Sequence, residues 1–237
     1  MNLKIFRNLI SNIVICFVII TIIYVTSGIN AITTSSYDGT KAIYRGNTEN
    51  KNVSIMINVY WGTEYLEPML EVLQEKKVNA TFFIGGVWAV QNELLLKKIH
   101  ELGYELGNHG YNHKDHDKLS AQHNRQEITA THEIVKRVTG VEMDLFAPPS
   151  GAYNNTTISV ASELGYKTIM WTLDTIDWRD KDTNLIYSRA TKKLSNGALV
   201  LMHPTQNTLE ALPQIIDYYL ENNYQVVNVS TNIAFSW

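Results

Sequence analysis

Cysteine occurs once in the 237 residues, as Cys16, which excludes an intramolecular disulfide and any cysteine-based metal cluster. A hydrophobic core must therefore hold the chain together, and any bound metal would rest on histidine or carboxylate. Proline (5) and glycine (13) are too scarce for a collagenous or Pro/Gly-rich disordered chain. Like-charged blocks are also missing: 20 basic residues face 23 acidic ones, a formal net charge of −3, with charged side chains at 18%. No nucleic-acid partner is expected from such a balance. What the chain does have is 45% hydrophobic residues, enough for one sizeable folded domain.

Acidic residues are absent before Asp38. Lys4 and Arg7 precede a run from Leu9 to Val25 that is apolar apart from Ser11, Asn12 and Thr21. A charged start followed by an apolar stretch is the pattern of an export segment. Residues 1–31 are read as either a cleaved signal peptide, cut near Gly28 or Ala31, or an uncleaved anchor with Lys4 and Arg7 on the cytoplasmic side. In both cases the body of the protein is expected outside the cytoplasm, secreted to the cell envelope or anchored on the extracellular face. Without Lys4 and Arg7 the balance is 18 basic against 23 acidic residues, a net of −5, so the exported part has no electrostatic pull toward anionic lipid. Residues 32–52, rich in Thr, Ser, Asn and Gly, read as a linker, and residues 53–237 as a single domain.

Within that domain short β-branched or aromatic runs alternate with longer amphipathic ones, which predicts βα units around a mostly parallel sheet. Strands are predicted over Val53–Val59, Ala80–Ile84, Glu105–Asn108, Asp144–Ala147, Lys167–Trp171, Ala198–Met202 and Gln225–Val229. Helices are predicted over Glu67–Lys76, Glu93–Leu102, Gln126–Thr139 behind a cap at Ser120, Thr156–Leu164 and Leu209–Asn222. Seven strands in about 185 residues give a distorted (β/α)7-type barrel, α/β in class, whose chemistry would gather on the loops that follow the strands.

Those loops are where polar residues concentrate. After the third strand come His109 and His113, four apart, a spacing that on a helical turn would turn both rings toward one divalent metal. Asp115, His116 and Asp117 read as an exposed turn. Later loops carry Ala147-Pro148-Pro149-Ser150-Gly151, then Asp177-Trp178, then Leu201-Met202-His203-Pro204. Each has an ordinary structural explanation alone; their joint arrival at one barrel mouth predicts a site.

These segments, in this order, resemble the polysaccharide deacetylases with a NodB homology domain, the carbohydrate esterases of family 4. The resemblance runs from about Val53 to the C-terminus, and is nearest to the sporulation-associated subgroup of Gram-positive bacteria. His109–His113 is similar to the family's metal-binding HxxxH segment, Ala147–Gly151 to its RPPxG turn, Asp177-Trp178 to its DW motif, and the segment around His203 to its leucine-histidine motif. The resemblance implies a metal-dependent hydrolase that removes N-acetyl groups from peptidoglycan or chitin-like glycans. The metal would be Zn²⁺, with Co²⁺ or Mn²⁺ as alternatives, held by His109 and His113. His203 would protonate the leaving amine with Asp177 supporting its charge, while Trp61, Trp178, Tyr111 and Pro149 would line the sugar site. The protein is expected to act as a monomer, with the membrane as a further partner if the N-terminal segment is uncleaved.

The first motif departs from the family. Its TFDDG segment falls on Ile57-Asn58-Val59 followed by Tyr60-Trp61-Gly62, so Asn58 occupies the place of the general base and Val59 that of a third metal ligand. Ala147 stands where many relatives carry the arginine that pairs with the base. An amide side chain has no basic lone pair near neutral pH, and a general base supplies about 10²–10⁴-fold, so weakened catalysis and weakly held metal are expected. Asp174 and Glu64 are the loop carboxylates nearest the missing role. A glycan-binding protein that has lost catalysis is the alternative reading.

Overall fold

The computed structural model describes residues 41–234, which belong to one compact unit. The predicted export segment lies outside the described residues, as do residues 32–40 of the predicted linker; among the described residues no helix is long and apolar enough to cross a membrane. Eight strands form one sheet: β1 (Asn52–Val59), β2 (Thr81–Ile84), β3 (Glu105–Asn108), β4 (Leu145–Phe146), β5 (Lys167–Thr168), β6 (Leu173–Asp174), β7 (Ala198–Met202) and β8 (Gln225–Val226). Seven follow the path β5-β4-β3-β2-β1-β7-β6, every neighbouring pair parallel, and β8 adds to the start of β1 through Asn52 and Val53. Helices α1 (Thr63–Glu75), α2 (Gly86–Gln91), α3 (Glu93–Glu101), α4 (Ala121–Thr139), α5 (Asn155–Glu163), α6 (Thr183–Thr191), α7 (Gln206–Glu221) and α8 (Val229–Ile233) fill the connections.

Strand periodicity divides the apolar residues between two layers. In β1, Val53, Ile55, Ile57 and Val59 join the large cluster shared with the helices, where α1 buries Leu66, Met69, Leu70 and Leu73 and α7 buries Leu212, Ile215, Ile216 and Tyr219. Met56 instead joins Phe83, Leu145, Ile169 and Leu199 in a smaller inner cluster. Each fully buried aliphatic side chain contributes about 1.5–3 kcal/mol, so the outer layer carries most of the hydrophobic stabilisation. Ser54 and Asn58, two residues either side of Met56, share its inward face.

Several expected boundaries shift, for local reasons. Residues 42–47 are docked onto the barrel: Ile43 bridges Ile169, Gly46 N–H donates to Gly197 O and Asn47 N–H to Asn232 O. The folded body thus begins before Val53, and the end of the predicted linker belongs to it. The predicted strand at Lys167–Trp171 stops at Thr168, and β6 supplies the seventh position on the path. The C-terminal strand ends at Val226, because Asn228 caps α8 by accepting from Thr231 N–H. Helix α6 goes unforeseen: only Ile186, Ala190 and Thr191 of its nine residues are buried, and its start is fixed by Asp182 accepting from Asn184 and Leu185 N–H.

Candidate active site

The strand ends converge on a cavity of about 500 Å³, lined by Asn58, Trp61, His109, His113, Ser150, Gly151, Trp171, Asp174, Trp178, Leu201 and His203. Asn58 reaches it from the inner face of β1, is 4% exposed, and its Oδ1 has no hydrogen-bond partner. Val59, the next residue, is fully buried in the outer, helix-facing cluster. The loops after β1 and β7 are pressed together at Gly62, where a Cβ would lie 1.9 Å from Pro204 O and where φ is +74°. Only glycine fits that approach. It brings Trp61 over His203, the rings stacked at 5.9 Å with 3° between their planes.

The two metal-candidate histidines do come together, at 5.1 Å between ring centroids, but not on a helical turn. An irregular loop does it, with Gly110 and His113 both at positive φ (+71° and +53°). Two side chains fix that loop. Asn108, buried at the end of β3, accepts from Gly110 N–H and donates to Ile128 O and Tyr166 Oη. Glu127 on α4 accepts from the backbone N–H of Tyr111 and Asn112 at 2.9 and 2.6 Å and from the Asn112 side-chain amide at 2.7 Å. From the sequence neither residue is assigned a role; an acidic side chain at an inward position of an amphipathic helix is the signal that could have pointed to Glu127.

His109 is 1% exposed and its Nδ1 lies 2.7 Å from Ala147 O. A carbonyl only accepts, so Nδ1 carries the proton and Nε2 keeps the lone pair. Burial drives the His109 pKa well below its ordinary value, reinforced by the neighbouring His113. Burial also lowers His113, with His203 adding to the effect. On the opposite wall Asp177 Oδ1 lies 2.8 Å from His203 Nδ1, while its Oδ2 accepts from His203 N–H and Thr208 Oγ1. Asp174, inside the cavity, accepts from Ile176 N–H at 2.8 Å. That turn offsets the strain of Ile176, a β-branched residue at φ +53°. Burial raises the Asp174 pKa, outweighing the Ile176 N–H that favours its charged form.

Some predicted site residues are placed elsewhere. Tyr111 turns its ring against Gly86 at the start of α2, and Pro149 is buried behind Gly110; neither lines the cavity. Glu64 lines a separate surface groove between α1 and α3, which removes it as a replacement base. His116, expected on an exposed turn, is fully buried with Nδ1 2.7 Å from Asn124 Oδ1. Among the described residues no three His, Cys, Asp or Glu side chains are grouped to hold a metal. Two imidazoles remain, and Val59 points the other way. This donor set does not fit the three-ligand arrangement of a catalytic zinc.

The model of the polysaccharide deacetylase family matches residues 45–169. Among curated proteins, YlxY of Bacillus subtilis (strain 168) is 42% identical over 188 residues, covering 79% of this chain and 59% of its own length. The chain thus spans less than two thirds of that relative. Peptidoglycan-N-acetylmuramic acid deacetylase PdaA of the same organism is 28% identical over 188 residues, covering 77% of this chain and 72% of its own. Among solved structures, BA3943 of Bacillus anthracis, described as a pseudoenzyme of carbohydrate esterase family 4, superposes with a TM-score of 0.80 at 38% identity, over 82% of this chain and 69% of its own. A BA3943 mutant described as having restored enzymatic activity superposes equally well, with a TM-score of 0.80 at 36% identity, over 82% of this chain and 72% of its own.

Proposed function

Because the chain belongs to the polysaccharide deacetylase family, we propose that it is an exported, glycan-binding member of that family whose hydrolytic power is largely lost. It takes N-acetylated peptidoglycan or chitin-like chains into the cavity at the strand ends and turns them over slowly or not at all. The observation that carries this reading is Asn58, an amide on the inward face of β1 at the place where hydrolysis needs a carboxylate. Amide hydrolysis requires proton uptake from the attacking water and proton delivery to the leaving amine. The geometry supports the delivery half: Asp177 holds His203 through both its side chain and its backbone N–H, which fixes the ring's orientation and tautomer. The uptake half is missing. Any divalent metal would rest on His109 and His113 alone, and no step of the reading depends on it.

Relatives support the reading from both sides. PdaA is named a peptidoglycan deacetylase, which favours a cell-wall glycan as ligand. BA3943, more similar to this chain, is called a pseudoenzyme, which favours loss of turnover. The export pattern of residues 1–31 supports a location where peptidoglycan is, tethered or secreted.

One feature favours residual activity as a second reading. Asp174 is a carboxylate inside the cavity with its pKa raised by burial, which gives it the chemistry of a base. Acetate release from acetylated chitooligosaccharides and peptidoglycan, measured beside calorimetric binding of the same glycans, decides between the two. Binding without release supports the first reading; release that Asp174→Asn abolishes supports the second; neither binding nor release overturns both.

A further inference from the structure

Two tryptophans that line the cavity are seated in different ways. Trp61 lies flat on His203, whereas Trp178, 57% exposed, has no aromatic partner among the described residues. Over its ring lies a cation instead: the Arg179 guanidinium carbon is 5.9 Å from the ring centroid, within cation–π range. A long, accessible arginine does not stay in one place unaided, because its side chain has many rotamers to lose. Here it is gripped. Arg179 Nε and Nη2 donate to the two oxygens of Asp180 at 2.8 and 3.0 Å, and Arg189, on α6, donates through Nη2 to Asp180 Oδ2 at 2.6 Å. The two guanidinium groups, Arg179 foremost, hold the Asp180 carboxyl well below the usual carboxylate range.

Arg189 also fixes where this grip sits. Its Nη1 donates to Thr175 O at 3.0 Å, so one planar side chain spans both ends of the segment 175–180. Between those ends the chain folds on itself, with Ile176 at positive φ and its carbonyl accepting from Arg179 and Asp180 N–H at 3.2 and 3.0 Å. Trp178 stands in that turn, one residue past Asp177, whose carboxylate is fastened to His203. The backbone is thus held by Asp177 and Arg189, and the indole by Arg179. Accessible ion pairs generally add little to global stability, and what this network fixes is a surface indole at the cavity.

We propose that Arg179, Asp180 and Arg189 are positioning residues that clamp the Trp178 indole before the glycan arrives, so that a sugar ring stacks on a surface already ordered. This rests on the glycan-binding reading above and assigns what keeps one wall of that site in place. Ordering a loose side chain at the moment of binding weakens affinity, and an indole ordered beforehand avoids that loss.

The test is titration calorimetry of the full chain in detergent with chitotetraose, in excess EDTA so that no metal contributes. Arg179→Met, which keeps the length and removes the cation, and Asp180→Asn, which keeps the shape and removes the charge, should each weaken binding by about threefold to tenfold, the scale of immobilising one side chain. Their melting midpoints should stay close to the parent's, and Arg179→Lys should recover part of the loss. In a Trp178→Ala background neither substitution should weaken binding further, since the indole they hold is gone. Arg179→Met leaves the Arg189–Asp180 pair intact and decides alone where Asp180→Asn melts without cooperativity. Parental affinity in Arg179→Met overturns the assignment while leaving glycan binding standing. A loss that persists in full without Trp178 overturns it as well, because the charges then act on the glycan or on the loop directly. Where Trp178→Ala alone abolishes binding, fluorine NMR of fluorotryptophan-labelled protein replaces the cycle. The Trp178 resonance, identified by its absence in Trp178→Phe, should shift and narrow in Arg179→Met, and an unmoved resonance overturns the clamp. No binding by the parent overturns the glycan-binding reading and this inference with it.

Discussion

Asn58 and Val59 leave β1 on opposite faces: Asn58 enters the cavity, and Val59 packs fully buried against the helices. Adjacent residues of a strand must diverge in this way. The two departures of the first motif therefore have different physical consequences. At Asn58 the chemistry of the cavity changes while its shape is kept. At Val59 a core position is filled, and the cavity gains nothing in return.

Asn58→Asp is accordingly the exchange expected to raise deacetylation, by at least about tenfold on a permissive acetylated oligosaccharide, a fraction of the usual general-base contribution. Asp and Asn are nearly isosteric, so the strand end stays intact. With Ala147 in place of an arginine, the new carboxylate lacks a cationic partner, and burial will raise its pKa. The kcat/KM of the two proteins under identical metal loading measures the effect; an unchanged value means that another group limits turnover.

Metal binding should be weak and should depend on both imidazoles. Zinc retained after equilibrium dialysis is expected to fall to background in His109→Ala and in His113→Ala, and to be unaffected by Asp174→Asn. Stoichiometry in His113→Ala equal to that of the parent would show that the pair is not the site. The lone pair on His109 Nε2 is set by Ala147 O, so the geometry at that ligand is prepared even though a third one is not.

Much of this site was legible in the sequence because the residues that form it lie on strand ends, and strand ends follow from alternation. β3 and β7 fall on their predicted residues, which is what places His109 and His203. The helical-turn argument for His109 and His113 failed for a physical reason: the spacing of four is realised by a loop with two positive-φ residues, held by Glu127 and Asn108. Nothing local marks such a loop, since its supports lie on another helix and inside a strand. The same loop turns the Tyr111 ring toward α2, which no local pattern announces. Contacts between distant segments, such as Ile43 with Ile169, leave no periodic trace at all.

Glu127 should prove a positioning residue. Its carboxylate is nearly buried, 7% exposed, and accepts three hydrogen bonds from the loop that presents both histidines. Glu127→Ala leaves two backbone N–H groups of that loop unpaired, each costing about 1–3 kcal/mol. A loss of stability of about 2–4 kcal/mol by urea denaturation is expected, together with zinc retention reduced as far as in the histidine variants. Glu127→Gln, which keeps an acceptor, should recover part of both.

Acid should destabilise the fold in two windows. Burial holds His109 and His116 below the ordinary imidazole value of 6.5, so as the pH falls below about 6.5 the unfolded chain takes up protons that the folded one refuses, and stability declines. Burial raises Glu127, but the hydrogen bonds from Asn112 and the Lys114 charge outweigh it and hold the carboxyl below its ordinary 4.5. Its contribution is present above that value and is lost as the pH falls through the lowered one. Melting temperature followed from pH 8 to pH 3.5 should fall in both ranges, and His116→Asn should flatten the upper one. A flat profile between pH 7 and 5 would count against the buried, neutral histidines.

Gly62→Ala tests the junction that seats an aromatic wall on His203. A Cβ at this position would lie 1.9 Å from Pro204 O, and φ +74° is unfavourable for alanine even without that contact. The backbone cannot yield at one end only, because Tyr65 N–H donates to Gly62 O at the start of α1 while Thr205, one residue past Pro204, caps α7 through Thr208 N–H. The loops after β1 and β7 must therefore separate. We expect a loss of about 2 kcal/mol or more in stability and a change in tryptophan fluorescence as Trp61 leaves its 3° stack on His203. Glycan affinity should fall with it, whereas zinc retention should not, since His109 and His113 are carried by the β3 loop. An alanine variant with parental fluorescence and glycan binding would mean that the two loops can part without disturbing the cavity, and that the Trp61–His203 stack does not shape it.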